Sequence, residues 1–196
     1  MNKLVHGVGI NDSDYAVTVN EYTQGKWKQV WMCPFYLRWK DMLARCYGLN
    51  RGTTYDECTV SDEWLTFSSF RTWMEKQDWQ GNHLDKDLLL YGNKVYSADT
   101  CVFISPVVNT FLNEGRGNHG PWPIGVYWHK TYRKFKAQVS NPFNKYREHL
   151  GFFTCQNEAH KAWLSRKLEI AYMLAEKQTD ARVANALVER YKNYDM

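Results

Sequence analysis

The sequence predicts an α+β protein in which a central strand, loop, strand, helix unit is followed by a three-stranded antiparallel sheet packed on a long helix. Three observations carry this expectation. Residues 83–113, HLDKDLLLYGNKVYSADTCVFISPVVNTFLN, read as a short strand over 84–90, a turn at Gly92 and Asn93, a second strand over 101–104, and a helix opened by Pro106, a residue tolerated in the first helical turn. Residues 122–153 hold strand-like runs at 124–129, 134–140 and 150–153, joined by a tight turn near 131–133 and a longer loop over 141–149. Residues 156–177 then place Ala159, Trp163, Ile170 and Leu174 at helical spacing, with Ala162, Leu168 and Ala171 widening the apolar face. A final short helix is expected over 181–191, with Val183 and Leu187 as its apolar contacts. The Gly-rich polar segment 114–121, EGRGNHGP, sets the expected domain boundary, giving parts at 1–114 and 122–196.

The first part starts with residues 1–30, which read as irregular with short strand-like pieces, 15–19 being the best of them. A helix follows over 35–47, with Leu37, Met42 and Cys46 near helical spacing and Arg38, Lys40 and Arg45 facing water. Gly48 ends it, and a short strand is expected at 58–60. Ser61 or Asp62 can cap the next helix, whose apolar positions Trp64, Leu65, Phe67, Phe70, Trp73 and Met74 recur at three and four.

Composition narrows the class. No apolar run approaches the ~18 residues that a membrane span needs, and the first twenty residues hold Asp12 and Asp14 without an apolar leader core, so a cytoplasmic protein with no membrane partner is expected. The five cysteines are odd in number and widely spaced, without a C-x-x-C pair, which reads as buried thiols in a reducing compartment. Nine Trp, thirteen Tyr and nine Phe are far more rings than a binding site needs, so most of them must be core.

The net charge of +4 is modest, but its distribution is not. Between 115 and 150 the basic residues are Arg116, Lys130, Arg133, Lys134, Lys136, Lys145 and Arg147, against Glu148 as the only acid. Such a stretch is either a solvated face or an electrostatic footprint for phosphate. In the run 134–139 the apolar set Phe135, Ala137 and Val139 points one way, and Lys134, Lys136 and Gln138 the other. A twisted sheet with that polar face can enter the major groove of double-stranded DNA, where Arg or Lys reach guanine acceptors and Gln138 can pair with adenine.

The segments GVYWHKTYRKFKAQVS and HLGFFTCQNEAHKAW resemble the small DNA-binding domain of plant ethylene-response transcription factors and its phage and mobile-element relatives. The resemblance implies three antiparallel strands that carry the DNA contacts and a helix packed behind them. It places Gly125, Val126 and Trp128 in the first strand, Gly151 and Phe153 in the third, and Glu158, Ala159 and Ala162 at the opening of the helix. The implied DNA-facing residues are Tyr127, His129, Arg133, Lys134, Lys136 and Gln138. The long basic loop with Asn141 and Pro142 departs from the family.

The central unit resembles the HNH endonucleases of the phage and intron-homing kind, and its tandem order with an ethylene-response-like domain recurs in phage proteins. The resemblance implies a ββα-metal core in which Asp85 and the helical Asn109 ligate Mg2+ or Mn2+, with Asp87 on the same strand face as Asp85. The general-base position of the family, a His, is held here by Lys86, which is protonated at neutral pH and suited to holding a phosphate rather than to taking a proton. His83, two residues before Asp85, is the replacement base on this reading, with His119 a more distant one.

Two functions follow as expectations. One is a metal-dependent endonuclease that binds double-stranded DNA through its C-terminal domain. The other is a non-enzymatic phage regulator or host-process inhibitor on a degenerate nuclease scaffold, with a host protein as a further partner that surface aromatics would anchor. A monomer is the default, since one such DNA-binding module can act alone.

Overall fold

Trp39, Met42, Leu43 and Cys46 recur at three and four along one helix, and the computed structural model buries all four. It describes residues 4–50, 52–113 and 121–194, so the linker 114–120, with Arg116 and His119, lies outside the described residues. The chain divides into two compact units, one of residues 1–80 and 84–103, the other of 81–83 and 104–196. The helix at residues 106–113, expected with the first part, therefore belongs to the second unit.

In the first unit, β1 (Thr18–Thr23) and β2 (Lys26–Met32) form an antiparallel hairpin where an irregular start with short strand-like pieces, the best at 15–19, was expected. Gln24 and Gly25, with φ of 52° and 78°, make the two-residue turn that matches strand twist. Nearly every residue of the ribbon is exposed, so no alternation of apolar and polar positions marks it in the sequence. α1 (Pro34–Tyr47) starts on a proline and ends at Gly48, whose N–H donates to the Ala44 carbonyl at 2.9 Å. Its buried stripe is set by Trp39, not by Leu37, which is 41% exposed on the other side of the helix.

The helix expected after Ser61 is interrupted. A 3-10 turn at Asp62–Leu65 breaks at Thr66, which is extended, before α2 (Phe67–Met74) begins. Ser61 occupies the cap position without making a side-chain cap bond. Thr66 is extended because the chain there is taken up by residue 10: Ile10 N–H donates to the Leu65 carbonyl at 2.8 Å, and Phe67 N–H to the Ile10 carbonyl at 3.0 Å. The core joins Trp39, Trp64, Phe67 and Phe70 in edge and tilted ring contacts, with the Trp39 indole N–H donating to the Trp64 carbonyl at 2.7 Å.

β3 (Thr59–Val60) pairs in parallel with β5 (Val95–Tyr96). β4 (His83–Asp85) pairs with β6 (Val102–Ile104), and α3 (Pro106–Asn113) follows, so the expected order of strand, loop, strand, helix is present. The first strand is much shorter than the expected 84–90, because the chain bends from Lys86 onward.

The second unit carries the antiparallel sheet β7 (Val126–His129), β8 (Lys134–Ser140) and β9 (Arg147–Phe153), in that order. β9 starts earlier than expected, which shortens the preceding loop. The sheet rests on α4 (Gln156–Ala175) through Val126, Ala137 and Ala159, all at 0% exposure. α5 (Ala181–Lys192) packs on α4 with Val183, Leu187 and Tyr191 buried. Four cysteines are buried as expected, but Cys155 is exposed. Among the described residues no helix is long and apolar enough to cross a membrane.

The tightest point of the second unit is Gly125, at φ +79°, where a Cβ would overlap the Trp163 indole. Gly125→Ala is expected to lower stability by about 2–4 kcal/mol, from left-handed strain plus overpacking, read as a fall in the urea midpoint; an unchanged midpoint would show that this seat is loose.

Candidate nucleic-acid interface and the central loop

Strand pairing determines which side chains share the sheet face away from α4. His129 pairs with Lys134, Tyr127 with Lys136, Lys136 with Phe152, Gln138 with His149, and Ser140 with Arg147. Directly paired residues stand on the same face, so these form one surface, opposite Val126, Ala137 and Val139. The alternation expected for 134–139 holds: Ala137 and Val139 are buried, while Lys134 is exposed and Lys136 and Gln138 half-buried. Five of the six expected DNA-facing residues, Tyr127, His129, Lys134, Lys136 and Gln138, thus lie on one face. The sixth, Arg133, sits in the β7–β8 turn at φ +49°, exposed.

The face also holds residues that sequence reasoning did not single out for it. His129 stacks on Tyr132 with centroids 4.6 Å apart, both rings meet Phe152 edge-on, and His149 also meets Phe152 at 4.7 Å. The Tyr132 N–H donates to His129 Nδ1 at 3.3 Å, which leaves Nε2 to carry the proton of the neutral ring. This aromatic row is preorganised among the cations, and the cross-strand register alone would have revealed Phe152 as a partner of Lys136.

The one acid of the basic stretch is turned away from this face. Glu148 pairs with Val139, on the α4 side, and accepts from Arg166 at 2.7 and 3.1 Å and from Asn141 Nδ2 at 2.6 Å. These bonds, Arg166 first and Asn141 second, hold its carboxyl below the usual carboxylate range. Arg166 also donates to Glu169 at 2.6 Å, so the two carboxylates raise its own pKa. Lys134, Lys136 and Arg147 face no carboxylate in their cross-strand pairs.

The residues expected for metal chemistry are otherwise engaged. Asp85 ends β4, and its Oδ1 accepts the N–H groups of Asp87 at 2.9 Å and Leu88 at 2.7 Å, which bends the chain out of the strand. Asp87 therefore does not continue a strand face with Asp85. Lys86 is buried at 6% exposure and donates to Asp87 Oδ1 at 2.6 Å and to the Asn93 carbonyl at 2.7 Å. Asn93 answers through Nδ2 to the carbonyls of Lys86 at 2.9 Å and Val95 at 2.7 Å. Lys86 is thus a cross-link of the 85–95 loop. The neighbouring Cys101 is a buried thiol whose pKa desolvation pushes up to about 12, so it is inert.

Asp85, Lys86 and Asp87 lie in the first unit; His83, exposed at the start of β4, and Asn109 lie in the second. Asn109 Oδ1 accepts from Asn113 Nδ2 at 3.1 Å. Asp87 is thus bound to Lys86, and one oxygen each of Asp85 and Asn109 accepts a hydrogen bond within the fold. Among the described residues no group of three His, Cys, Asp or Glu side chains gathers into a metal site.

Comparison with protein families, curated proteins and solved structures finds no match to this chain.

Because the Glu148 pKa is depressed on folding, the stability it confers is fully present above its unfolded value of about 4.3 and is lost as pH falls through the folded value. The urea midpoint should therefore drop more steeply between about pH 5 and pH 3 in the native chain than in Glu148→Gln, which lacks this titration. Parallel curves would mean that the Arg166 pair contributes nothing.

Proposed function

We propose that this protein binds double-stranded DNA through the outer face of β7–β9 and the β7–β8 turn. The observation that carries the proposal is the segregation of charge across one sheet: Glu148 is spent on Arg166 on the helix side, while Lys134, Lys136 and Arg147 share the opposite face with Gln138 and a row of rings, and Arg133 stands exposed in the turn. Cations on a solvated face release counterions from the phosphate backbone at little desolvation cost, and a carboxamide can read base edges.

A second reading is metal-dependent hydrolysis of the bound DNA. The β4, β6, α3 order favours it, and it would require Asp85 and Asn109. Lys86 would contribute to such a reaction only indirectly, since its ammonium is tied to Asp87 and Asn93.

Fluorescence anisotropy on a duplex panel between 50 and 200 mM salt tests the binding, with salt values on the order used for counterion analysis. Affinity should fall steeply with salt, and Arg133→Ala, Lys134→Ala and Lys136→Ala should each weaken binding and reduce the log–log salt slope by about 1. Salt-independent affinity, or slopes unchanged in all three variants, would remove the proposal. The same duplexes incubated with Mg2+ or Mn2+ separate the two readings: cleavage lost in Asp85→Ala and in Asn109→Ala supports hydrolysis, and intact DNA on a panel that is bound leaves binding alone.

A further inference from the structure

α3 and the three-stranded sheet are both anchored on α4, by different means. The buried Lys167 ammonium of α4 donates to the Phe111 carbonyl in the last turn of α3 at 2.8 Å and lies 3.7 Å from the centroid of the Phe111 ring, with Tyr191 of α5 at 5.2 Å. The sheet is held by the Gly125 seat on Trp163 and by His160, which donates through Nδ1 to the Ile124 carbonyl at 2.9 Å. Between α3 and the end of the sheet where β7 starts, β8 ends and β9 begins, these anchors leave a cleft of about 1010 Å³.

Its polar lining includes Asn109, Thr110 and Asn113 from α3, Tyr127, Gln138 and Ser140 from the sheet, and Asn141, Lys145 and Arg147 from the loop and the start of β9. Among the described residues that line the cleft none is acidic. The Asn113 to Asn109 bond orients the two amides, so that Asn109 offers its Nδ2 and Asn113 its Oδ1, a donor beside an acceptor. The loop that carries Lys145 is rigid: Asn141 is buried, its N–H donates to the Tyr146 carbonyl at 2.8 Å, and its carbonyl accepts from Lys145 N at 2.9 Å. Tyr127, Gln138 and Arg147 belong both to this cleft and to the outer face of the sheet, so the two surfaces are continuous.

We propose that this cleft is a second site, which takes a single nucleotide unit. Lys145 and Arg147 hold its phosphate, Tyr127 supplies a ring for stacking, and the carboxamides of Asn109, Asn113 and Gln138 meet the hydrogen-bonding edge of the base. The volume, against the roughly 300–1000 Å³ of small-ligand pockets, suits one nucleotide and not a duplex. The inference rests on the DNA-binding reading for the source of the nucleotide: a base drawn out of DNA lying on the outer face. An unattached nucleotide would satisfy the same chemistry.

The test uses the full chain with duplexes carrying 2-aminopurine at successive positions, read by emission and, in the same samples, by anisotropy. A second arm titrates the four deoxynucleoside monophosphates calorimetrically. A several-fold rise in emission at one position, lost in Asn109→Leu and in the cleft-narrowing Thr110→Met while anisotropy still reports binding, is the expected result. Thr110 is exposed, so that variant keeps its fold, and a native melting curve checks this. Monophosphate binding lost in the same variants, without an emission change in DNA, supports the site and assigns it to free nucleotides. DNA binding with neither an emission rise nor monophosphate binding, or a rise that Thr110→Met leaves intact, overturns the inference and leaves the DNA-binding proposal standing. Should no duplex bind at low salt, that proposal fails instead, and the monophosphate titration alone decides the cleft.

Discussion

The sheet of the second unit can sit on α4 only because small side chains meet there. Val126 and Ala137 reach 0% exposure against Ala159, and Gly125 has no room for a Cβ beside Trp163. Close seating of this kind sets the register, and register sets everything on the other face, since a slip of one residue would exchange the two sides. With Ala137 and Val139 committed to the core, Lys134, Lys136 and Gln138 have no alternative to the outer face. The charge of that surface is therefore a consequence of apolar packing beneath it. Glu148 completes the separation. It falls on the packed side, where an unpaired carboxylate would be costly, and Arg166 and Asn141 satisfy it there.

Not every cation in this chain faces solvent. Lys86 and Lys167 are buried lysines, at 6% and 0% exposure, and each joins distant backbone. Lys86 closes the loop between residues 86 and 93, and Lys167 brings the end of α3 to α4. A long stem with an ammonium at its tip suits this: the methylenes pack, and the charge finds a carboxylate, a carbonyl or a ring face. At the C-terminal end of α3 a cation also meets carbonyls that lack intrahelical partners. Nothing in the local sequence separates such lysines from Lys134 or Lys136. Burial decides, and burial is a tertiary property.

Much of the architecture was legible because periodicity survives folding. The alternation of 134–139 and the spacing of Ala159, Trp163, Ile170 and Leu174 both report a face pressed on a neighbour. Where no face is pressed, the signal disappears, as in β1–β2, where both sides of the ribbon meet solvent. In α1 Met42 and Cys46 lie on the buried side that their spacing predicts, but Leu37 does not, because Trp39 and Leu43 complete that side instead. The Leu88 to Leu90 run resembles a strand, yet two N–H groups captured by Asp85 turn the chain before it can extend. The residues of the outer sheet face were readable from parity, whereas the aromatic row and the cleft depend on partners far apart in sequence, Tyr132 with Phe152 and Asn109 with Arg147.

Binding and hydrolysis make opposite demands on polar groups. A phosphate-binding face works best with side chains that remain hydrated and unpaired until DNA arrives, because the partner supplies the compensation. A metal centre needs oxygens that are withdrawn from water and yet uncommitted within the fold. The outer sheet face meets the first demand, its cations facing no carboxylate across the strands. In the 85–95 loop the polar groups bond to one another: Asp85 holds a turn, Asp87 holds Lys86, and Lys86 holds Asn93. Each of these bonds stabilises the loop by engaging a polar group inside the fold. Rigidity and reactivity therefore compete for the same few oxygens, and in this loop the hydrogen bonds favour rigidity.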